Sequence, residues 1–394
     1  MKQLVNVSSM PWLPAIDSSW DVVRADHFLS VKKTVVGEKW PDYTLLSLTK
    51  EGVVIRDFTD RQGKLPETFD SYQEVQIGDL VMCLFDMDET PRTVGISSHR
   101  GMITGAYTTF QFDQTIVVPS YFEYLFISID DRKAFKAAYS GLRKTIRPPV
   151  FLSLRFPLPP LETQQRISDY LDRETAEIDA AVADLDRYVE LLEKRRRAKI
   201  TFAVEGKSNL VKDNSTESHP VANLGLVAHA YQPETLSMEA LNQSGTFPVF
   251  GANGIIGRHD NFNHEQPQVV IACRGNTCGA VNWTLPKSWI NGNAMVINPH
   301  AEKLRKDFLF YVLEIADYSL VITGSAQPQI IRESLYRLRV PLPPLETQRR
   351  IADYLDRETT EIDSLIADST RLRDLLLKRR SVLITEVVTG RKQV

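Results

Sequence analysis

Pro157 to Lys207 reads PLPPLETQQRISDYLDRETAEIDAAVADLDRYVELLEKRRRAKITFAVEGK, and Pro341 to Arg391 reads PLPPLETQRRIADYLDRETTEIDSLIADSTRLRDLLLKRRSVLITEVVTGR. Laid over each other at a fixed offset of 184 residues, the two agree at 32 of 51 positions without a gap. Each copy is therefore one structural unit used twice, and the rest of the chain is organised around the pair. Both begin with prolines, Pro157, Pro159 and Pro160 in the first and Pro341, Pro343 and Pro344 in the second, which hold the chain extended. A helix has to start after them, with Thr163 and Thr347 as candidate N-caps and no capping box, because Arg166 and Arg350 stand three residues on.

Ile167, Leu171, Ile178, Val182, Leu185, Val189 and Leu192 then recur at helical spacings. The second copy has Ile351, Leu355, Ile362, Ile366, Leu372, Leu376, Leu383 and Val387 in a similar rhythm. No proline or glycine interrupts either run before Gly206 and Gly390, which stand where a C-terminal cap belongs. Roughly 40 helical residues give a rod of about 60 Å. A rod with one apolar stripe cannot bury itself, so the two copies are expected to pack on each other, with Ile167, Leu171, Ile178, Leu185, Leu192, Ile351, Leu355, Ile362 and Leu376 in the seam. Two copies of one surface are self-complementary about a two-fold axis, which favours an antiparallel coiled coil with pseudo-two-fold symmetry. The alternative is a duplicated helix that braces one globular body.

The boundaries follow from the repeat: a globular block at 1–155, a helix at 156–206, a linker at 207–220, a second block at 221–339 and a second helix at 340–390. The linker segment SNLVKDNSTESHP has too few apolar residues for a core. Short β-prone runs divided by turns occur at Leu80–Phe85, Tyr107–Phe110 and Thr115–Val118, and again at Phe247–Phe250, Val269–Cys273 and Ala294–Ile297. Aromatic helices are expected over Phe122–Tyr139 and Phe308–Ile322. The blocks end alike, in GLRKTIRPPVFLSLRFPLPP from Gly141 and GSAQPQIIRESLYRLRVPLPP from Gly324, so the duplication includes them. The fold class is α+β: two mixed lobes separated by two long packed helices.

Composition narrows the function. The chain has 394 residues, 43% hydrophobic and 25% charged, with a formal net charge of −3, so it is large enough for two or three domains and is not a basic nucleic-acid coat. Cys83, Cys273 and Cys278 are odd in number and form no CxxC pair, which argues against a disulfide framework or a thiolate zinc site. No leader pattern and no 18-residue apolar run occurs, and a cytoplasmic setting without a membrane is expected.

Catalytic signatures are missing. There is no GxxxxGK[ST] loop, since Thr201 stands where the first glycine must be before Gly206-Lys207-Ser208, and there is no HExxH or GxSxG. The Asn/Asp-Pro-Pro-aromatic loop of amino methyltransferases is absent, although Arg147-Pro148-Pro149-Val150-Phe151 has a superficial likeness to it. Asp169, Asp172, Glu174, Glu177 and Asp179 repeat as Asp353, Asp356, Glu358, Glu361 and Asp363, as a solvated or partner-docking helix face would. No catalytic residue and no metal ligand is assigned.

Several groups suit nucleic acid instead. In the second block Asn253, Arg274, Asn276, Asn291, Asn293, Gln327 and Gln329 sit on turns, where amide and guanidinium groups can address base edges. The same Asn-Gly pairs also read as plain turn formers. In the first block the corresponding candidates are Arg61, Gln62, Lys64, Arg92, Arg143, Lys144 and Arg147, as phosphate contacts or as ordinary surface charge. The clusters Lys194–Arg197 and Lys378–Arg380 could neutralise phosphate, complement the helix dipole or face a partner.

Together these motifs resemble the specificity subunit of type I restriction-modification systems, HsdS, over nearly the whole chain. The resemblance rests on the two PLPPLETQ lead-ins with their RI-DYLDRET-EID helices, and on FPVFGANGIIG at Phe247, IACRGNTCGAV at Ile271 and GSAQPQI at Gly324. It implies two target recognition domains, each reading one half of a split double-stranded DNA target, with the helices as a ruler for the spacer. It also implies docking of two methyltransferase (M) subunits and, in a restriction-competent complex, two restriction (R) subunits. The chain itself would hold no cofactor; S-adenosylmethionine, ATP and Mg2+ would belong to the partners. The first block lacks the GANGIIG and GSAQPQI signatures and has GLRKTIRPP and Met82-Cys-Leu-Phe-Asp-Met87 instead. A lone DNA methyltransferase or nuclease, and a coiled-coil scaffold with sugar- or protein-binding lobes, are the competing classes.

Overall fold

The computed structural model describes residues 4–6, 8, 10–57, 68–139, 144–206, 219–324 and 327–394. The chain divides into two compact units, Met1–Leu185 with Arg371–Val394, and Asp186–Thr370. The division runs through both repeated helices, so each unit holds one globular block and a segment of each helix.

In the first unit an antiparallel sheet has the strand order Leu29–Lys32, Thr108–Phe112, Leu80–Met82, Val94–Ile96. Helix α1 (Pro119–Asp131) packs on it, α2 (Pro148–Ser153) follows, and strand Arg155–Leu158 returns to pair with Asp21–Arg24. Helix α3 spans Leu161–Val204. The second unit repeats the plan. Its sheet runs Ala228–Tyr231, Ala294–Pro299, Val269–Ala272, Val281–Trp283, with α4 (Lys306–Ile315), α5 (Arg332–Leu335) and a closing pair of Val221–Asn223 with Arg339–Pro341. Helix α6 spans Leu345–Val388. The α+β class expected from the repeat is the one observed.

The helix segments in each unit run antiparallel and are tied by the same ion pair. In the first unit Arg380 meets Asp179 at 2.8 Å; in the second Arg196 meets Asp363 at 2.7 Å. The offset of 184 converts one pair into the other. A second repeat ties each lobe to a long helix: Tyr124 of α1 donates to Asp172 at 2.7 Å beside Thr175, and Tyr311 of α4 donates to Asp356 at 2.5 Å beside Thr359. Burial pushes both phenols above their ordinary pKa, so each stays a donor.

Helix ends are embedded in the lobes rather than in a simple two-helix seam. Ile167, Leu171 and Ile178 share a core with Phe122, Phe126 and the α6 residues Ile384 and Val387. Ile351 and Leu355 share one with Phe308, Val312 and Ile200. Leu192 and Ile362 are buried, while Leu185 and Leu376 are half-buried. Gly206 and Gly390 close the helices with φ of 74° and 72°, where a side chain would be strained.

Four local expectations change. Both long helices start at Leu161 and Leu345, directly after the prolines, so Thr163 and Thr347 lie inside the first turn and are not N-caps. The binding role falls to Gln164 and Gln348. Gln348 Oε1 accepts from Arg305 N at 2.8 Å, and its Nε2 donates to Lys303 O at 2.9 Å and Pro343 O at 2.8 Å. Gln164 does the same with Val118 N and Pro159 O, both at 2.8 Å. Thr115–Val118 is not a strand, because Asp113 turns the chain by accepting from Thr115 N at 3.0 Å and from Val117 N through its carbonyl at 3.2 Å. The aromatic helices are shorter than expected: α1 stops at Asp131, and Lys133, at φ 50°, separates it from a 3-10 turn at Ala134–Ala138, while α4 stops at Ile315.

Gln348→Leu leaves Arg305 N and two carbonyls without their partner while adding little apolar contact. A loss of about 3 kcal/mol is expected, read as a lower urea midpoint for unfolding, whereas exposed Gln165→Leu leaves the midpoint unchanged.

Candidate nucleic-acid interface

In the second unit four chain segments meet at one end of the sheet. The loop after strand Val269–Ala272 is fixed by Cys273 N donating to Asn293 O at 3.1 Å, Ile330 N to Cys273 O at 3.0 Å and Gly275 N to Pro328 O at 3.0 Å. Arg274 therefore lies in a bridge opposite Gln329. The hairpin Phe247–Gly251 to Gly254–His259, with Asn253 at its turn, lies beside the same cluster. Its strand runs parallel to Trp289–Ile290, and Asn291 N donates to Phe250 O at 2.9 Å. Asn253, Arg274, Asn276, Asn293, Gln327 and Gln329, far apart in sequence, are thus gathered with their side chains exposed.

Asn291 is placed differently. It is buried, its Oδ1 accepts from Leu236 N at 3.0 Å and Gly292 N at 2.8 Å, and its Nδ2 donates to Leu236 O at 3.2 Å. Its amide is spent on holding the loop. Gln232 is a residue that sequence reasoning missed. Its Nε2 donates to Cys273 Sγ at 3.1 Å and Gly292 O at 3.0 Å, so what it offers outward is an acceptor.

The first unit builds the same junction from different letters. Ile146 N donates to Leu84 O and Asp86 N to Lys144 O, both at 2.8 Å, and Phe85 bridges Thr145. Asp86 takes the place of Gly275, and both have positive φ, 45° and 82°. The MCLFDM and GLRKTIRPP segments, which sequence alone left unconnected, are therefore partners. A hairpin like that of GANG is also present, Leu46–Thr49 to Gly52–Ile55 with Lys50 and Glu51 at the turn. Its signal was the glycine before a β-branched pair, Gly52-Val-Val54 against Gly254-Ile-Ile256, and the polar residues ahead of it hid the match.

The basic candidates of this unit divide. Arg92 is bonded to Asp131 at 3.1 Å and Asp130 at 3.4 Å, which anchors it on the end of α1. Lys144 is paired with Asp88 at 3.1 Å and with Glu89, and its ammonium holds the Asp88 carboxyl below the usual carboxylate range. Arg147 is exposed immediately before α2. Arg61, Gln62, Lys64 and Arg143 lie outside the described residues.

Along the helices, Arg196 is spent on Asp363 and Glu314, Lys194 on Glu190 and Arg380 on Asp179. The two helices also leave apolar side chains uncovered at matching positions: Tyr188 and Leu191 in the second unit, Leu372 and Leu375 in the first, each related by 184. Among the described residues no group of three His, Cys, Asp or Glu could hold a metal ion, and no helix is long and apolar enough to cross a membrane.

Comparison with known proteins places this geometry. The model of the type I restriction modification DNA specificity domain matches residues 104–183 and 221–368, more than half the chain. The Haemophilus influenzae protein S.HindORF215P, which carries the name of a type I restriction enzyme specificity subunit, is 28% identical over 154 residues, covering 38% of this chain and 39% of that protein. The type I restriction enzyme MjaVIII specificity subunit of Methanocaldococcus jannaschii is 23% identical over 318 residues, 69% of this chain and 70% of that one. Among solved structures, a chain from work on complex assembly and conformational transition of the type I R-M system shares the fold with a TM-score of 0.63 at 15% identity, covering 95% of this chain and 99% of that one.

Proposed function

Because the chain belongs to the family of type I restriction modification DNA specificity domains, we propose that it is the non-catalytic specificity subunit of such a complex. In this reading it recognises a bipartite double-stranded DNA target, one half per lobe, and docks methyltransferase and restriction subunits, which bring S-adenosylmethionine, ATP and Mg2+. The observation that carries the reading is the junction built twice, with one backbone framework and two sets of side chains. A site of two unlike halves needs one architecture presenting two different reading surfaces. Half-site contact by Asn253, Arg274, Asn276, Asn293, Gln327 and Gln329 is the proposed role of those residues, with Arg147 positioned for phosphate.

The exposed pairs Tyr188 with Leu191 and Leu372 with Leu375 are proposed as the two methyltransferase docking faces, one for each M subunit. Apolar residues at helical spacing on an exposed face suit a partner helix better than water. Changing Tyr188 and Leu191 to Glu is expected to reduce the M subunits bound from two to one, and adding Leu372→Glu and Leu375→Glu to reduce them to none. Native mass spectrometry of the reconstituted complex reads the count, and two M subunits retained by the quadruple variant contradicts this docking.

A further inference from the structure

A groove occurs in both units with three corresponding positions in its lining, joined by Ser71, Gln73 and Gly105 in the first unit and by Arg274 and Gln329 in the second. Lys33 and Gln232 are each the first residue after the outer strand, whose registers Leu29↔Phe112 and Ala228↔Pro299 correspond. Thr108 and Met295 lie four residues before Phe112 and Pro299 on the next strand. Pro148 and Arg332 open α2 and α5. The backbone bridges Phe85–Thr145 and Arg274–Gln329 adjoin these positions.

The framework of the two lobes is duplicated down to single hydrogen bonds away from the groove, as with Gln164 and Gln348 or Tyr124 and Tyr311. The side chains at the three corresponding positions all differ: Lys against Gln, Thr against Met, Pro against Arg. Two lobes that share a scaffold and read unlike sequences must differ where they read. In the second unit the groove also has the chemistry for bases. Gln232 spends its amide nitrogen on two bonds, which leaves its oxygen as the acceptor, and among the described residues Arg332 pairs its planar donor fork with exposed Glu333 alone, at 3.2 Å.

We propose that this groove is the base-reading surface of each lobe, and that Gln232 and Arg332 in one unit and Lys33 in the other are specificity-determining residues. The inference rests on the bipartite reading above and assigns its site. The test uses the complex reconstituted with its methyltransferase on duplex libraries randomised in one half of the target at a time, with methylated products sequenced. Gln232→Ala and Arg332→Ala are expected to relax preference about tenfold at positions in one half and leave the other half unchanged, and Lys33→Ala to do so in the opposite half. Arg332→Lys keeps the charge and loses the fork, so it should relax preference as Arg332→Ala does. Unaltered preferences in all variants overturn the assignment, as does uniform weakening across all sequences with rescue by Arg332→Lys, the mark of a phosphate contact. Equal urea midpoints for variant and wild type separate these results from misfolding. A wild-type complex with no split preference overturns the underlying reading itself, and the assignment with it.

Discussion

Replacing Ile178 and Ile362 with glutamate is expected to abolish assembly with the methyltransferase and to cost about 4 kcal/mol at each position. Both side chains are at least nine-tenths buried, at 7% and 3% exposure, and both are one residue before the aspartate that holds the opposite helix. A carboxylate there is desolvated among apolar neighbours, and it either stays charged at high cost or takes up a proton and packs poorly. Ile362→Val, which keeps the stripe, should lose only about 1 kcal/mol and assemble normally. Thermal unfolding and co-purification with the M subunit read the two effects separately. Full assembly of the double glutamate variant would mean that the helix seam is not what holds the docking surface.

Inserting seven residues into α3 after Leu185 and seven into α6 after Thr370 is expected to lengthen the unspecified spacer of the target while leaving the half-sites unchanged. Seven residues preserve the period of the apolar stripe and add about 10 Å of helix, roughly three base pairs of duplex. Insertion into one helix alone breaks the register of the paired segments and should abolish activity instead. Methylation of a set of duplexes that differ only in spacer length reads the change directly. An optimum that stays at the wild-type spacer would show that the helices do not act as the ruler.

The helices were legible because an apolar stripe at helical spacing, copied at an offset of 184, must be buried along its length. Their antiparallel pairing was legible for the same reason, and Arg196–Asp363 and Arg380–Asp179 are its consequence. By residue type Thr163 reads as a cap, but the helix already starts at Leu161. The turn is held instead by Gln164, whose partner Val118 lies 46 residues away, beyond any local rule.

The loops show the same boundary between local and distant information. Asn291 and Asn293 flank one glycine and read alike, yet one is buried on Leu236 and the other is exposed. What separates them is a chain segment 55 residues upstream. In the first block, backbone donors and acceptors set the junction of Leu84–Asp86 with Lys144–Ile146, and every residue type but proline carries both. Side-chain signatures such as GANG therefore vanished from that block while the geometry they mark did not.

The most direct measurement is a single-molecule map of N6-methyladenine across the genome of a host that expresses this chain with its methyltransferase, repeated with the chain deleted. A split motif, two short defined halves around a fixed unspecified spacer, is predicted in the first map and absent from the second. Methylation that persists unchanged without the chain, or an assembled complex that marks no motif, would contradict its role as the reader of the target.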